Sequence, residues 1–342
     1  MIGGEPLYGI KTGYNPAYLL DTPTKESLIA ADPASAGLFR PYLRGEDLDR
    51  WHAVGAGLWM LTLKSSGNHP WPWADLPDAE AEAVFRKTYP AVFAHCDAHR
   101  DKLSAREDQG RYWWELRACA YWDAFDRPKV PYTDISWRAS FNLDTSGTMS
   151  NNTVYFLPTD DRWTLAVLNS PAAWWYSWRA AVHGKDEALR LFTSYLANFP
   201  VPDPSPAARE RAEAIVARLI DLTAGRTSGL RALLDWLRVE LGVERVSNKL
   251  SDLVGLTADE LAAEVRQCRP KKAGLSSAEL QRLRAEYTAG VVPLREQAAE
   301  CRTLEQELAG LVNAAYGLTP SDVALMWQTA PPRMPTVAPK PH

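Results

Sequence analysis

Three stretches of this chain gather side chains able to grip an anion or read a hydrogen-bonding edge. The first is Gly9-Ile-Lys-Thr-Gly13 followed by Asn15. Gly13 and Asn15 suit a turn. Lys11 and Thr12 at its tip can meet a phosphate through charge, hydroxyl and backbone N–H; a solvated hairpin would use the same residues. The second runs from Tyr112 to Ser136. It is dense in rings (Tyr112, Trp113, Trp114, Tyr121, Trp122, Phe125), then turns at Asp126-Arg-Pro128 and resumes at Lys129. Rings beside Arg117 and Lys129, ending in Thr133, Asp134 and Ser136, make a surface that can stack, hydrogen-bond and hold phosphate. An aromatic core strip with charges on its wet side is the alternative, because rings carry large apolar area. The third, Thr145 to Asn152, ends in Ser150, Asn151 and Asn152. Asn can bond adenine bidentately, and Ser or Thr can serve any base edge. Turn chemistry alone also favours Asn and Gly there.

Other chemistry is missing. There is no NPPY-like tetrapeptide to hold a flipped adenine, no strand–GxG–helix signature, no P-loop and no GxSxG elbow. His95 and His99 at i, i+4 lack a third metal ligand, so a solvated helix face is the expectation. Cys96, Cys119, Cys268 and Cys301 are scattered, with no CxxC spacing. The expectation is no catalytic residue, no metal and no cofactor bound by this chain.

The elements that must position these stretches fall into two regimes. Twelve of the 14 tryptophans precede Asp203, and Pro200-Val-Pro-Asp-Pro204 punctuates the change. Before it, short strands are expected at Leu7–Ile10, Ala17–Leu20, Leu58–Leu63, Arg138–Asp144 and Thr153–Leu157. Pro131 places Lys129–Tyr132 at a sheet edge or strand end. Helices are expected at 25–31, 33–39, 78–87, 91–106 and 172–182. After it the pattern is helical: 207–224, 229–241, a capping box at Thr257 and Glu260, and a long element from Ser276 kinked near Pro293. The fold class is therefore α+β: a mixed first domain over 1–203, an all-α bundle or hairpin over 204–330, and a Pro-rich disordered tail over 331–342.

A hydrophobic content of 46% allows a substantial core. Net charge is −4, with 20 Lys and Arg against 25 Asp and Glu up to Asp203. Nucleic-acid binding then needs local cationic patches, not a global field. No apolar run nears the ~18 residues of a membrane span, and the first residues lack a secretory pattern. The expectation is a cytoplasmic protein with no membrane partner.

Seven motifs in order resemble the TaqI-type C-terminal specificity domain of type IIG restriction–modification proteins and related adenine-specific DNA methyltransferases. They are Gly9 to Gly13 with Asn15; Pro41-Tyr-Leu-Arg-Gly45 with Asp47, Arg50 and Trp51; Tyr112 to Arg117; Lys129 to Ser136; Asn152 to Phe156; Leu165 to Ser170; and Tyr195 to Pro202. Leu311 to Pro320 is similar to the helical tail of some of these proteins. The resemblance implies sequence-specific recognition of double-stranded DNA. Lys11, Arg44 and Lys129 would contact backbone phosphates. The Thr145–Asn152 loop with Ser150, Asn151 and Asn152, and the stretch with Thr133, Asp134 and Ser136, would meet base edges. Thr12, Asn15, Arg50 and Arg190 would also lie at the DNA. It also implies a partner methyltransferase domain, with or without a nuclease, that binds S-adenosylmethionine. The chain would then be a non-catalytic fragment or a separately encoded specificity subunit. The acidic balance keeps open a different class, a protein–protein adaptor of a defence or repair complex.

Overall fold

The computed structural model describes Ile2 and residues 4–335. The architecture is α+β. The chain divides into two compact units, one of residues 1–203 with Thr329–Pro335 and one starting at Pro204 and running to Gln328.

The first unit is built on small sheets because its strands are short and interrupted. Strands β1 (Leu7–Tyr8), β2 (Leu19–Asp21), β3 (Phe39–Leu43), β4 (Leu58–Leu61), β5 (Val130–Thr133), β6 (Ile135–Ser136), β7 (Met149–Ser150), β8 (Val154–Leu157), β9 (Val182–His183) and β10 (Leu189–Arg190) form three sheets, ordered β2-β4-β3-β7, β1-β8-β5 and β6-β10-β9. All pairings between these strands are antiparallel except β3 with β7, where Tyr42 faces Met149 and Leu43 faces Ser150; isolated parallel bridges join Ile10 to Asn151 and Trp51 to Asn142. β5 pairs only with β8, so Pro131 sits on an edge strand, where its missing N–H removes no inner ladder bond. Helices α1 (Asn15–Tyr18), α2 (Thr22–Ala31), α3 (Asp78–Thr88), α4 (Pro90–Asp97), α5 (Arg100–Ala105), α6 (Arg162–Leu168), α7 (Pro171–Ala180) and α8 (Thr193–Ala197) complete it.

Some expected elements differ. A strand over Ala17–Leu20 gives way to α1, since Pro16 in its first turn presets a helical φ; β2 starts only at Leu19. Residues 138–144 form no strand. There the Asn169 side chain occupies the backbone of Phe141, accepting its N–H at 3.2 Å and donating to its carbonyl at 2.8 Å. Residues 91–106 split at His99, so the His95 and His99 rings meet edge to face, 5.4 Å apart, with His95 Nε2 on the Ala17 carbonyl.

The aromatic stretch lies mostly inside. Tyr112 and Trp114 stack at 4.8 Å, and Trp114 stacks on Phe85 at 5.1 Å. Glu115, with no exposed surface, is held among these rings by five donors. Its Oε2 accepts the N–H groups of Ser66, Arg111 and Tyr112, and its Oε1 accepts Trp73 Nε1–H at 2.9 Å and the Ser66 hydroxyl. A buried carboxylate needs such a shell. Arg106, also buried, donates to the carbonyls of Thr12, Trp113 and Glu115. That ties the Lys11–Thr12 turn to the aromatic core.

The second unit is helical: α9 (Pro206–Leu241), α10 (Asn248–Ser251), α11 (Ala258–Cys268), α12 (Ser277–Glu286), α13 (Val292–Ala315) and α14 (Pro320–Gln328). α9 is continuous through Gly225 and Gly229, where two helices were expected. A Cβ on Gly229 would lie 2.9 Å from Leu294 of α13, so the glycine permits close helix–helix packing there. Arg218–Glu300 and Arg211–Glu307 pairs link the same two helices further along, on the Glu300 side of that contact. A π-turn at Tyr287–Val291 stands just before Pro293, so α13 starts beside it instead of kinking at the proline. Thr257 and Glu260 form the expected capping box. Of the tail expected to be disordered, residues 336–342 lie outside the described residues. Pro331–Pro335 pack on the first unit, where Trp174 Nε1–H donates to the Pro332 carbonyl at 2.9 Å.

Candidate functional site

Five separate stretches of the first unit line one open groove of about 910 Å³. Asn15 enters from α1. Arg44, Gly45 and Glu46 enter from the turn after β3. Thr133 to Arg138 form another wall, Asn151 and Thr153 follow β7, and Arg333 comes from the C-terminal segment. Two glycines make this convergence possible. A Cβ on Gly9 would fall 1.9 Å from the Asn151 carbonyl oxygen, so only glycine lets that backbone run against residues 150–151. There Ile10 N–H donates to the Ser150 carbonyl at 2.7 Å. A Cβ on Gly45 would stand 3.0 Å from Thr133 Cγ2, which brings the arginine turn against the β5 end.

The groove's charges are held in fixed directions. Arg44 donates Nε–H and NH2 to both oxygens of Asp47, at 3.2 and 2.8 Å, and its NH1 faces Glu46. The bond from Asp47 keeps the guanidinium pKa above its ordinary value. Arg190 does the same to Asp134, at 3.0 and 2.7 Å, and also covers the Phe192 ring. Such forks orient both partners. Asp134 lines the groove as an acceptor. Thr133 and Ser136 share a hydroxyl bond of 2.5 Å. Asn151 Oδ1 accepts the N–H and hydroxyl of Thr153, so its amide nitrogen keeps its donors free among the described residues. Ile135 and Trp137 stand exposed on the wall, with the Trp137 indole N–H on the Asp186 carbonyl at 3.1 Å.

The groove thus brings together Asn15, Arg44, Thr133, Asp134, Ser136 and Asn151 from the expected residues, with Arg190 behind Asp134. Others lie elsewhere. Lys129 is a correction: only 2% exposed, it cannot reach a bound phosphate. Its Nζ donates to Asp144 Oδ2 at 2.5 Å and to the Phe125 carbonyl at 2.8 Å. Burial lowers the Lys129 pKa. Burial alone would raise that of Asp144, but the ammonium and the hydroxyls of Thr148 and Ser146 hold it low. Ser150 is also a correction, buried with its hydroxyl on the Val154 carbonyl at 3.2 Å. The Ser146 and Thr148 hydroxyls turn inward to Asp144. Thr12 is buried against Asn15, and Lys11 pairs with Asp108 at 2.8 Å. Arg50 and Asn152 do not line the groove. Sequence reasoning missed Trp137, Arg138 and Arg333. Trp137 directly follows a polar stretch already singled out, and Arg138 opens the expected strand over Arg138–Asp144; Arg333 sits in a Pro-rich tail with no signal.

Comparison with known proteins places this geometry. Residues 85–201 match the TaqI-like C-terminal specificity domain. That specificity segment supplies the Thr133–Arg138 and Asn151–Thr153 walls, while Asn15, Arg44 and Arg333 come from outside it. Residues 205–312 match a domain of unknown function, DUF8810. The structure resembles that of the type IIL restriction-modification enzyme MmeI in complex with DNA, with a TM-score of 0.50 at 14% identity. The match covers 96% of this chain and 35% of that one, so the chain spans about a third of the length of that enzyme. No curated protein matches. Among the described residues no helix is long and apolar enough to cross a membrane.

Proposed function

We propose that the first unit recognises a short DNA sequence on behalf of a restriction–modification adenine methyltransferase of the type IIG kind. One observation carries this reading: a single open groove gathers arginines, an oriented carboxylate and a free amide donor from five stretches, and the segment forming two of its walls matches a specificity domain. A duplex needs this division of labour, since cations on the backbone set register and side chains at base edges discriminate. Arg44 and Arg138 suit the first task. Asn151 and Asp134 suit the second: an amide fits adenine, and an oriented carboxylate accepts from the cytosine amino group. Local cationic placement also answers the chain's acidic balance.

Bond-making falls to a methyltransferase domain, with or without a nuclease, in the same polypeptide or a separate subunit. S-adenosylmethionine would be held there, and the target adenine would be flipped into it. The test is fluorescence anisotropy of labelled duplex pools against the full chain at low salt. Binding should weaken with salt, and Arg44→Ala should lower affinity alike on every sequence. The adaptor alternative predicts no duplex binding with or without an added adenine methyltransferase.

A further inference from the structure

Three arginines line the groove, and two of them already face acids. Arg44 is held by Asp47 and Glu46, and Arg138 lies 3.6 Å from Asp49. Arg333 is different. It is exposed, it lines the same groove, and among the described residues it has no acidic partner. Its backbone sits at φ 58°, a left-handed conformation that a non-glycine residue adopts only when its neighbours hold it. Those neighbours are visible. α7 holds the segment before Arg333 through three bonds: Trp174 Nε1–H to the Pro332 carbonyl at 2.9 Å, Trp175 Nε1–H to the Thr329 hydroxyl at 2.9 Å, and Arg179 to the Thr329 carbonyl at 3.0 Å. Arg179 in turn lies over the Trp175 ring at 3.7 Å. Pro331 and Pro335 are buried on either side.

A segment secured by indole donors thus brings into a shared groove an arginine that has no partner among the described residues. We propose that Thr329–Pro335 is a strap that completes the groove, and that Arg333 binds a backbone phosphate of the duplex. This rests on the DNA-recognition reading above. The strap would explain why the tail needs its prolines. They restrict the chain before and after Arg333, so less freedom is lost when the guanidinium engages.

The test compares the full chain with Arg333→Ala, Arg333→Lys and Trp174→Phe, by anisotropy on two unrelated duplexes from 50 to 300 mM salt. One phosphate contact adds about 0.9 to the slope of log affinity against log salt. Taken over the decade below 1 M, that is about eightfold in affinity at 0.1 M. Arg333→Ala should therefore weaken both duplexes about eightfold and flatten the slope by about 0.9. Arg333→Lys, which keeps the charge, should hold the slope. Trp174→Phe keeps an aromatic ring but removes the bond nearest Arg333, so it should weaken binding, and adding Arg333→Ala to it should cost less than Arg333→Ala costs alone. Wild-type slope and affinity in Arg333→Ala would overturn the phosphate role while leaving the DNA reading intact. Weaker binding at an unchanged slope would also overturn it. If the wild-type chain binds neither duplex at 50 mM salt, the DNA reading falls, and this proposal with it.

Discussion

Lys129 separates two accounts of the same residue by experiment. From its place in the chain it reads as a phosphate contact; in the fold it is a buried cation 2.5 Å from Asp144 Oδ2, with side chains 2% and 4% exposed. Substituting Lys129→Met keeps the length and removes the charge. Asp144 is then left in the interior without its cation. Breaking one partner of a buried pair costs about 3–5 kcal/mol, because the other charge is stranded. The loss of the Lys129 bond to the Phe125 carbonyl falls within that range. With a urea slope of about 2 kcal/mol/M, the unfolding midpoint should fall by about 1.5–2.5 M. Tryptophan fluorescence follows this transition, because 12 of the 14 tryptophans precede Asp203. Adding Asp144→Asn to Lys129→Met removes the stranded charge while keeping an acceptor for Ser146 and Thr148. The double variant should therefore recover at least about 1 kcal/mol relative to Lys129→Met, as coupling between contacting residues allows. It should not recover fully, because an amide has one acceptor oxygen where the carboxylate uses two, Oδ1 for Ser146 and Oδ2 for Thr148. A midpoint within about 0.3 M of wild type, which is under about 1 kcal/mol at that slope, would refute the burial argument. If the DNA salt slope instead dropped by about 0.9 with stability unchanged, Lys129 would be a phosphate contact after all.

Further outcomes follow from the same geometry. Gly9→Ala should destabilise the first unit by several kcal/mol or block its folding, since its Cβ would meet the Asn151 carbonyl oxygen at 1.9 Å and neither backbone can yield; a midpoint within 1 kcal/mol of wild type would contradict the close approach. In the second unit, Glu279 accepts the Ser276 N–H at 2.7 Å and pairs with Arg269, and these bonds pull its pKa down to about 2. A depressed folded-state carboxylate stabilises above its unfolded pKa and loses that contribution as pH falls through the folded value. Glu279→Gln should therefore lower helical stability at pH 7 and converge with wild type as pH drops from about 4.5 to about 2, read by circular dichroism; equal differences at both ends would remove Glu279 from that role. Trp137→Ala on the groove wall should leave the urea midpoint within about 0.5 kcal/mol, as an exposed substitution usually does, while weakening duplex binding; loss of stability would mean the ring is structural.

What could be read without coordinates was local. Turn residues, caps and prolines act over four or five positions, so the capping box at Thr257, the edge position of Pro131 and the wholly helical second half were legible from residue type and spacing. So was the ordered series of motifs, most of which fall within the residues 85–201 that match a TaqI-like specificity domain. Tertiary structure decided which of those residues share a surface. Lys129 and Arg44 look alike as cations in polar stretches, but one side chain points into the interior toward Asp144 and the other lies along a groove. That difference depends on how β5, β8 and the Asp144 loop fold together, over distances in sequence that no local pattern encodes. Arg333 makes the same point from the far end of the chain. It lines the groove from a segment that α7, more than 150 residues earlier, holds through Trp174 on the Pro332 carbonyl and Trp175 on the Thr329 hydroxyl.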